Sequence, residues 1–177
     1  INGLQALVAD VGTGTVGGID SSAFPFWRNT VIDASDLGVT PSATTIETGL
    51  MLPAWLSVDR GPDDQTDLIV ADNNYFQLFE SSQVSIKRYN DTSKGNAGFT
   101  ALRYKNADVI YDGNSGIPVN RMYFINTNYL ELVVHEDADL NIMDEARPVN
   151  QDGAVIPILW MGNLTCSNRK LQAVILP

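Results

Sequence analysis

The sequence runs to 177 residues with 44% apolar residues and a formal net charge of −10, and Cys166 is its single cysteine. That length suffices for one domain with a real core, or one domain plus a lobe, and the composition argues against global disorder. The acidity weighs against holding nucleic acid by broad contacts to phosphate, and one cysteine excludes an intramolecular disulfide framework or a multi-cysteine metal site and suits a reducing compartment.

The chain opens on INGLQALVAD, where Leu4, Leu7, Val8 and Val11 stand at helical spacing with no cap ahead of them. That pattern predicts the tail of a helix whose beginning lies outside the sequence, so the chain is expected to be a fragment. No secretory leader pattern heads it. Gly12-Thr13-Gly14-Thr15-Val16-Gly17 matches the glycine fingerprint of dinucleotide folds in form only. The fingerprint works between a strand and a helix, where phosphate meets the helix amino end, and here Gly18-Ile19-Asp20 and Phe24-Pro25-Phe26-Trp27 continue without helical pattern. The reading adopted is a flexible glycine-rich connector.

Phe24 to Val31 reads as a strand entry, with Phe26 and Trp27 the expected buried pair, and Asp33 to Leu37 as a turn. Thr40-Pro41 predicts a helix start, a threonine cap with proline at the first helical position. Ile46, Leu50 and Ala54 form its apolar stripe, and Pro53 is expected to bend or end it. After a loop at Arg60 to Asp64, Asp67 to Ala71 reads as a buried strand. A second helix follows with Asp72 as cap and Tyr75, Leu78, Phe79 and Ser82 on one face.

From Gly98 to Val134 the pattern is strands and turns: Phe99 to Tyr104, Asp108 to Tyr111, Arg121 to Ile125 and Tyr129 to His135. In the last, Leu130, Leu132 and Val134 share one face, expected to be the buried one, while Glu131, Val133 and His135 share the other. An acidic patch follows, comprising Glu136, Asp137, Asp139, Asp144 and Glu145. Pro148 to Gly153 is a loop, and Ala154 to Met161, Leu164 to Ser167 and Leu171 to Leu176 are three closing strands. Gly162-Asn163 is read as a hairpin turn between the first two, and the last is expected to tie the terminus into a sheet. The longest apolar runs, Leu50 to Leu56 and Val155 to Met161, are broken by proline and too short to span a bilayer. The fold class is α+β.

Chemistry is hard to find in this chain. His135 with Asp137 and Asp139 would form a metal-binding face, since alternate residues on a strand project together, but the reading adopted is a solvated strand end whose charges discourage edge pairing. No catalytic, cofactor-binding or metal-binding residue is therefore assigned, and the protein is read as not an enzyme. No Gly-x-Ser-x-Gly elbow accompanies His135, and Cys166 between Thr165 and Ser167 reads as a small packed side chain. Asn90-Asp91-Thr92 and Asn163-Leu164-Thr165 match the glycosylation triplet without a secretory route to use it. Lys87-Arg88-Tyr89 and Arg103-Tyr104-Lys105 interleave bases with aromatics, and against the net charge they read as local ion pairs or contacts to a neighbouring copy. Two rival classes stay open. A β-rich ligand- or carbohydrate-binding module would need Trp27, Trp55 and Trp160 exposed on one groove, and a carboxylate hydrolase would need two acids facing across a pocket.

The ordered series TVGGID, PFWRN, PDDQTDLIVADNNYFQLFESSQ, ADVIYDGNSGIP, RMYFINTNYLEL and PILWMGNLTCSNRKLQAVI, spread over nearly the whole chain, resembles the carboxy-terminal portion of the major capsid protein of tailed bacteriophages, the Hong Kong 97-like fold. The resemblance implies a two-lobed structural subunit that assembles into pentamers and hexamers of an icosahedral shell enclosing DNA. An axial lobe would take residues 37–139, and a peripheral lobe residues 1–36 with 140–177. The amino-terminal arm, the extended loop and most of the spine helix of that family have no counterpart here, so this chain alone is expected not to close a shell. The resemblance further implies a virion location after assembly in the bacterial host cytoplasm. Its partners would be other copies of itself and scaffolding, portal or decoration proteins, with no membrane, no cofactor and no specific nucleic-acid binding. The acidic balance suits a wall along which packaged DNA must slide. The loops at Asn90 to Gly98 and Asp112 to Pro118 are the expected contact sites with neighbouring subunits.

Overall fold

Six short strands hydrogen-bond into one mixed sheet, and the order of those strands explains where everything else lies. The computed structural model describes residues 3–62, 64–86, 102–113, 116–147 and 153–177. The sheet strands are β3 (Thr30–Asp33), β4 (Leu68–Ala71), β5 (Leu102–Tyr104), β6 (Ala107–Tyr111), β7 (Met122–Ile125) and β12 (Ala173–Leu176), in the order β3-β12-β7-β4-β6-β5. The terminal strand β12 runs parallel to β3 and antiparallel to β7, so the chain end is tied into the sheet interior as expected. The sheet thus draws on residues from each of the segments 1–36, 37–139 and 140–177.

All four residues of β7 are buried, because both faces of the sheet are covered there. Met122 and Phe124 join Ile69, Ala71, Val109, Ala173 and Ile175 on one face, under two helical elements. Tyr123 and Ile125 join Val174, Leu7 and Val8 on the other. Each large apolar side chain buried this way contributes about 1.5–3 kcal/mol.

The first helical element combines a wide π-type turn, Ile46–Met51, with α2 (Leu52–Val58). Ile46, Leu50 and Ala54 are fully buried, as the stripe predicted. The start lies later than Thr40-Pro41, and Pro53 neither ends nor interrupts the helix. A proline here lacks the N–H that an α-turn would aim at the Gly49 carbonyl, and its ring would crowd that carbonyl. The wide turn removes the conflict, with the Leu52 N–H donating five residues back to the Glu47 oxygen. The second helix, α3 (Asn73–Ile86), starts where predicted: the Asp72 carboxylate accepts from the Asn74 and Tyr75 amides at 3.2 and 3.1 Å.

The amino-terminal segment departs further from expectation. Only one helical turn forms, α1 (Leu4–Leu7), and Val11 is 78% exposed. The glycine-rich connector is a β-hairpin, β1 (Thr15–Val16) against β2 (Ile19–Asp20). Gly17 and Gly18 at its tip both have positive φ, 62° and 79°, as a two-residue type I′ turn requires. Phe26 is 66% exposed, so it is not half of a buried pair, and Pro25–Trp27 is a short 3₁₀ turn ahead of β3. Trp27 is half-buried, and its indole N–H donates to the Val16 carbonyl at 3.1 Å, fastening this turn to the hairpin.

Candidate assembly interface

Between β7 and β12 the chain leaves the sheet and returns as an antiparallel ribbon. Its root is β8 (Leu130–Val134) paired with β11 (Gly162–Cys166), from Cys166 opposite Leu130 to Gly162 opposite Val134. Gly162 and Asn163 therefore lie within a strand and not in a hairpin turn, and the partners are not those expected from sequence order. Farther out, β9 (Asn141–Ile142) pairs with β10 (Ile158–Leu159), and Ala146 bridges Val155 beyond them. His135 and Met161 join the two parts, the His135 N–H donating to the Met161 carbonyl at 2.9 Å.

This ribbon is apolar where it meets solvent. On β8, Leu132 is 61% and Val133 51% exposed, although they point to opposite faces. The expected burial of the Leu130, Leu132 and Val134 face holds only at its ends, where Leu130 and Val134 are half-buried. Ile142 and Ile158 are opposed across the strands at 68% and 64% exposure, and Ile156, between that pair and the Ala146–Val155 bridge, is 57% exposed. A two-stranded ribbon is marginal in water on its own, and large apolar side chains exposed along it make it the candidate interaction surface of this fold. Acidic side chains flank it: Glu136, Asp137 and Asp139 border an open groove that also includes Leu140, Asn141 and Ile142.

The ribbon is fastened to the sheet by buried polar groups that periodicity does not reveal. Gln172 and Asn126 are both buried and exchange hydrogen bonds, Asn126 N–H to Gln172 Oε1 at 3.0 Å and Gln172 Nε2 to the Asn126 carbonyl at 3.2 Å. Arg169 is wholly buried, and its guanidinium donates to the Leu7 carbonyl at 2.6 Å, the Trp27 carbonyl at 3.2 Å and Asn29 Oδ1 at 2.9 Å. Burial pushes its pKa down from the ordinary arginine value. One side chain thus joins α1, the turn before β3 and the return path of the ribbon.

The candidate residues read from sequence fall into structural roles. His135 caps the turn Glu136–Ala138, its Nδ1 accepting from the Asp137 amide at 3.2 Å. Among the described residues no group of three or more His, Cys, Asp and Glu side chains could hold a metal ion. Cys166 is half-buried beside Leu130 and Leu164, and burial pushes its thiol pKa up. Asn163 to Thr165 is paired backbone of β11, with the Thr165 hydroxyl donating to the Glu131 carbonyl at 3.2 Å. Arg103 pairs with Asp108 across β5 and β6 at 2.7 Å, and the Lys105 ammonium sits 4.9 Å over the Trp55 ring. Trp55 is 2% exposed in the core while Trp27 and Trp160 are half-buried on other elements, so the three make no shared groove. Lys87 to Tyr89, Asn90 to Thr92 and the loop from Asn90 to Gly98 lie outside the described residues, as do Asn114 and Ser115 of the loop from Asp112 to Pro118.

No helix of the described residues is long and apolar enough to cross a membrane. No family model matches the sequence, and no curated protein matches it either. A solved structure does match: a chain of the structure titled "Cyanophage A-1(L) capsid asymmetric unit" superposes with a TM-score of 0.62 at 19% sequence identity. The similarity covers 98% of this chain and 59% of that chain, and what the two share is a phage-capsid-like fold of mixed helix and sheet.

Proposed function

We propose that this chain is a structural, non-catalytic subunit of a bacteriophage head, with the Hong Kong 97-like fold of major capsid proteins, and that it works by binding other copies of itself. The observation that carries the reading is the apolar ribbon from Leu130 to Cys166, left open to solvent on a fold similar to that of a cyanophage capsid chain. Leu132, Val133, Ile142 and Ile158 are apolar side chains that the rest of the described chain leaves in solvent, and repeated modest contacts between identical surfaces of this kind close into symmetric shells. In this reading the six-stranded sheet with α2 and α3 is the axial lobe and the ribbon belongs to the peripheral lobe.

The subunit would reside in the virion after assembly in the host cytoplasm, as pentamers and hexamers around packaged DNA. Scaffolding, portal or decoration proteins would be its further partners. The net charge of −10 supports a wall that does not grip DNA. The test is negative-stain microscopy of the purified chain, beside the double variant Ile142→Lys, Ile158→Lys. Ring-shaped oligomers from the parent and their absence from a variant with an unchanged melting temperature support the proposal. Parent particles that stay monomeric at every concentration overturn it.

A further inference from the structure

The ribbon leaves the sheet through the 3₁₀ turn Thr127–Tyr129, and that turn is held by two carboxylates from the segment ahead of β4. Asp67 accepts the Thr127 amide on Oδ1 at 2.8 Å and the Thr127 hydroxyl on Oδ2. Asp64 accepts the Asn126 side-chain amide on Oδ1 at 2.9 Å and the Tyr129 hydroxyl on Oδ2 at 3.3 Å. Each carboxylate thus uses both oxygens on the same turn.

The backbones that carry these carboxylates are fixed independently of the ribbon. The Asp67 amide donates to the Ile125 carbonyl and its own carbonyl accepts from the Asp108 amide, both at 3.1 Å, which places it on the sheet. Asp64 is closed into its own loop by main-chain bonds with Gly61 and Arg60. The side chains therefore reach as two fingers from the sheet and its adjoining loop onto the turn where the ribbon begins. The return strand rests on the same turn, since the Ser167 amide donates to the Tyr129 carbonyl at 2.9 Å. Apolar support at the root is incomplete, with Leu130, Leu164 and Cys166 only partly buried.

We infer that Asp64 and Asp67 form a latch that sets the direction in which the ribbon projects from the sheet. With the latch closed, the ribbon has one orientation. With it open, the remaining ties at Asn126, Gln172 and Ser167 keep the ribbon attached and let it swing. The inference concerns geometry within one chain and does not depend on assembly.

The test compares the parent with the double variant Asp64→Ala, Asp67→Ala, with Thr127→Val as a second way of weakening the Asp67 finger. Spin labels are placed at Glu131→Cys on the ribbon and Leu56→Cys on α2, both exposed, in a Cys166→Ala background. A single narrow distance in the parent, spread or shifted in the double variant, is the expected result. Amide exchange in β8 and β11 should rise by about tenfold or more, while β7 and β12 stay within about twofold, because backbone ties of the sheet are untouched. An unchanged distance distribution overturns the latch. So does faster exchange in β7 and β12 in step with the ribbon, which would make these carboxylates general stabilisers of the fold.

Discussion

Replacing Arg169 by methionine keeps most of the side-chain length and removes every donor. Its hydrogen-bond partners among the described residues are neutral oxygens, of which the Leu7 carbonyl and Asn29 Oδ1 are buried contacts and the Trp27 carbonyl a partly buried one. Leaving a buried acceptor unsatisfied costs about 1–3 kcal/mol, and two buried acceptors, the Leu7 carbonyl and Asn29 Oδ1, lose their arginine donor together. Arg169→Met is therefore expected to cost about 3–5 kcal/mol, a large fraction of the 5–15 kcal/mol that is typical for a domain. At this chain length that lowers the melting temperature by about 10 °C. The arginine is also the tie between residue 169 and α1, 162 positions apart in sequence. Proteolysis should therefore cut the segment from Ala9 to Thr15 well before the sheet unfolds. Arg169→Lys, with a point-like ammonium that cannot span three acceptors, should fall between. Thermal melts followed by circular dichroism, with timed proteolysis, read both effects. A methionine variant melting within about 2 °C of the parent, with no early cleavage, would refute the reasoning by showing that the desolvation cost of this charge equals what its hydrogen bonds return.

Three further outcomes follow from local geometry. Asp72→Ala should lose about 1 kcal/mol of stability as the α3 cap disappears, measurable by urea denaturation. Gly12→Ala should cost about 1–2 kcal/mol, since φ is +68° and the new Cβ would stand 3.1 Å from the Asn29 carbonyl oxygen; Gly3→Ala, with nothing within 4 Å, should be neutral in the same assay. Burial first, then nearby carboxylates, push Tyr75, Tyr104 and Tyr123 from 10.0 up to about 12, so an ultraviolet titration should show these three among the late phenols. Because the folded state holds these protons more tightly than the unfolded one, their contribution is complete below about pH 10 and is lost as pH rises toward about 12. Phenols all titrating near 10 while the fold persists would contradict the packing around them.

How far the sequence carries toward this structure depends on how local each cause is. The Asp72 cap, the Ile46, Leu50 and Ala54 stripe and the buried strand at Leu68 to Ala71 were legible because capping and periodicity act within a few residues. The end of the chain also read correctly, since an apolar run of β-branched residues such as Val174 and Ile175 has few solutions other than a sheet interior. Gly12 to Gly17 misled toward a connector because glycine permits positive φ in both a loop and a type I′ hairpin, and only the partner strand decides. Leu132 and Phe26 misled in another way: apolarity favours burial, but folded proteins keep much apolar surface in solvent, and both side chains stay exposed here. Arg169, Gln172 and Asn126 left no trace, because polar residues look solvated until a distant segment brings them their partners. For the buried polar ties the missing information was long-range, as the 162-residue separation of Arg169 and Leu7 shows. The candidate interaction surface was legible only as its parts, an acidic patch beside apolar β-branched residues, and not as a ribbon.

The most direct test of the account is the mass of the chain in solution as a function of concentration, by sedimentation equilibrium at moderate ionic strength. The account predicts an average mass that rises above the 19.3 kDa of one copy as concentration increases, and that stays at 19.3 kDa for the Ile142→Lys, Ile158→Lys variant. A parent chain that remains at 19.3 kDa across the whole range, indistinguishable from the variant, would contradict the claim that the ribbon is a surface for further copies of this chain.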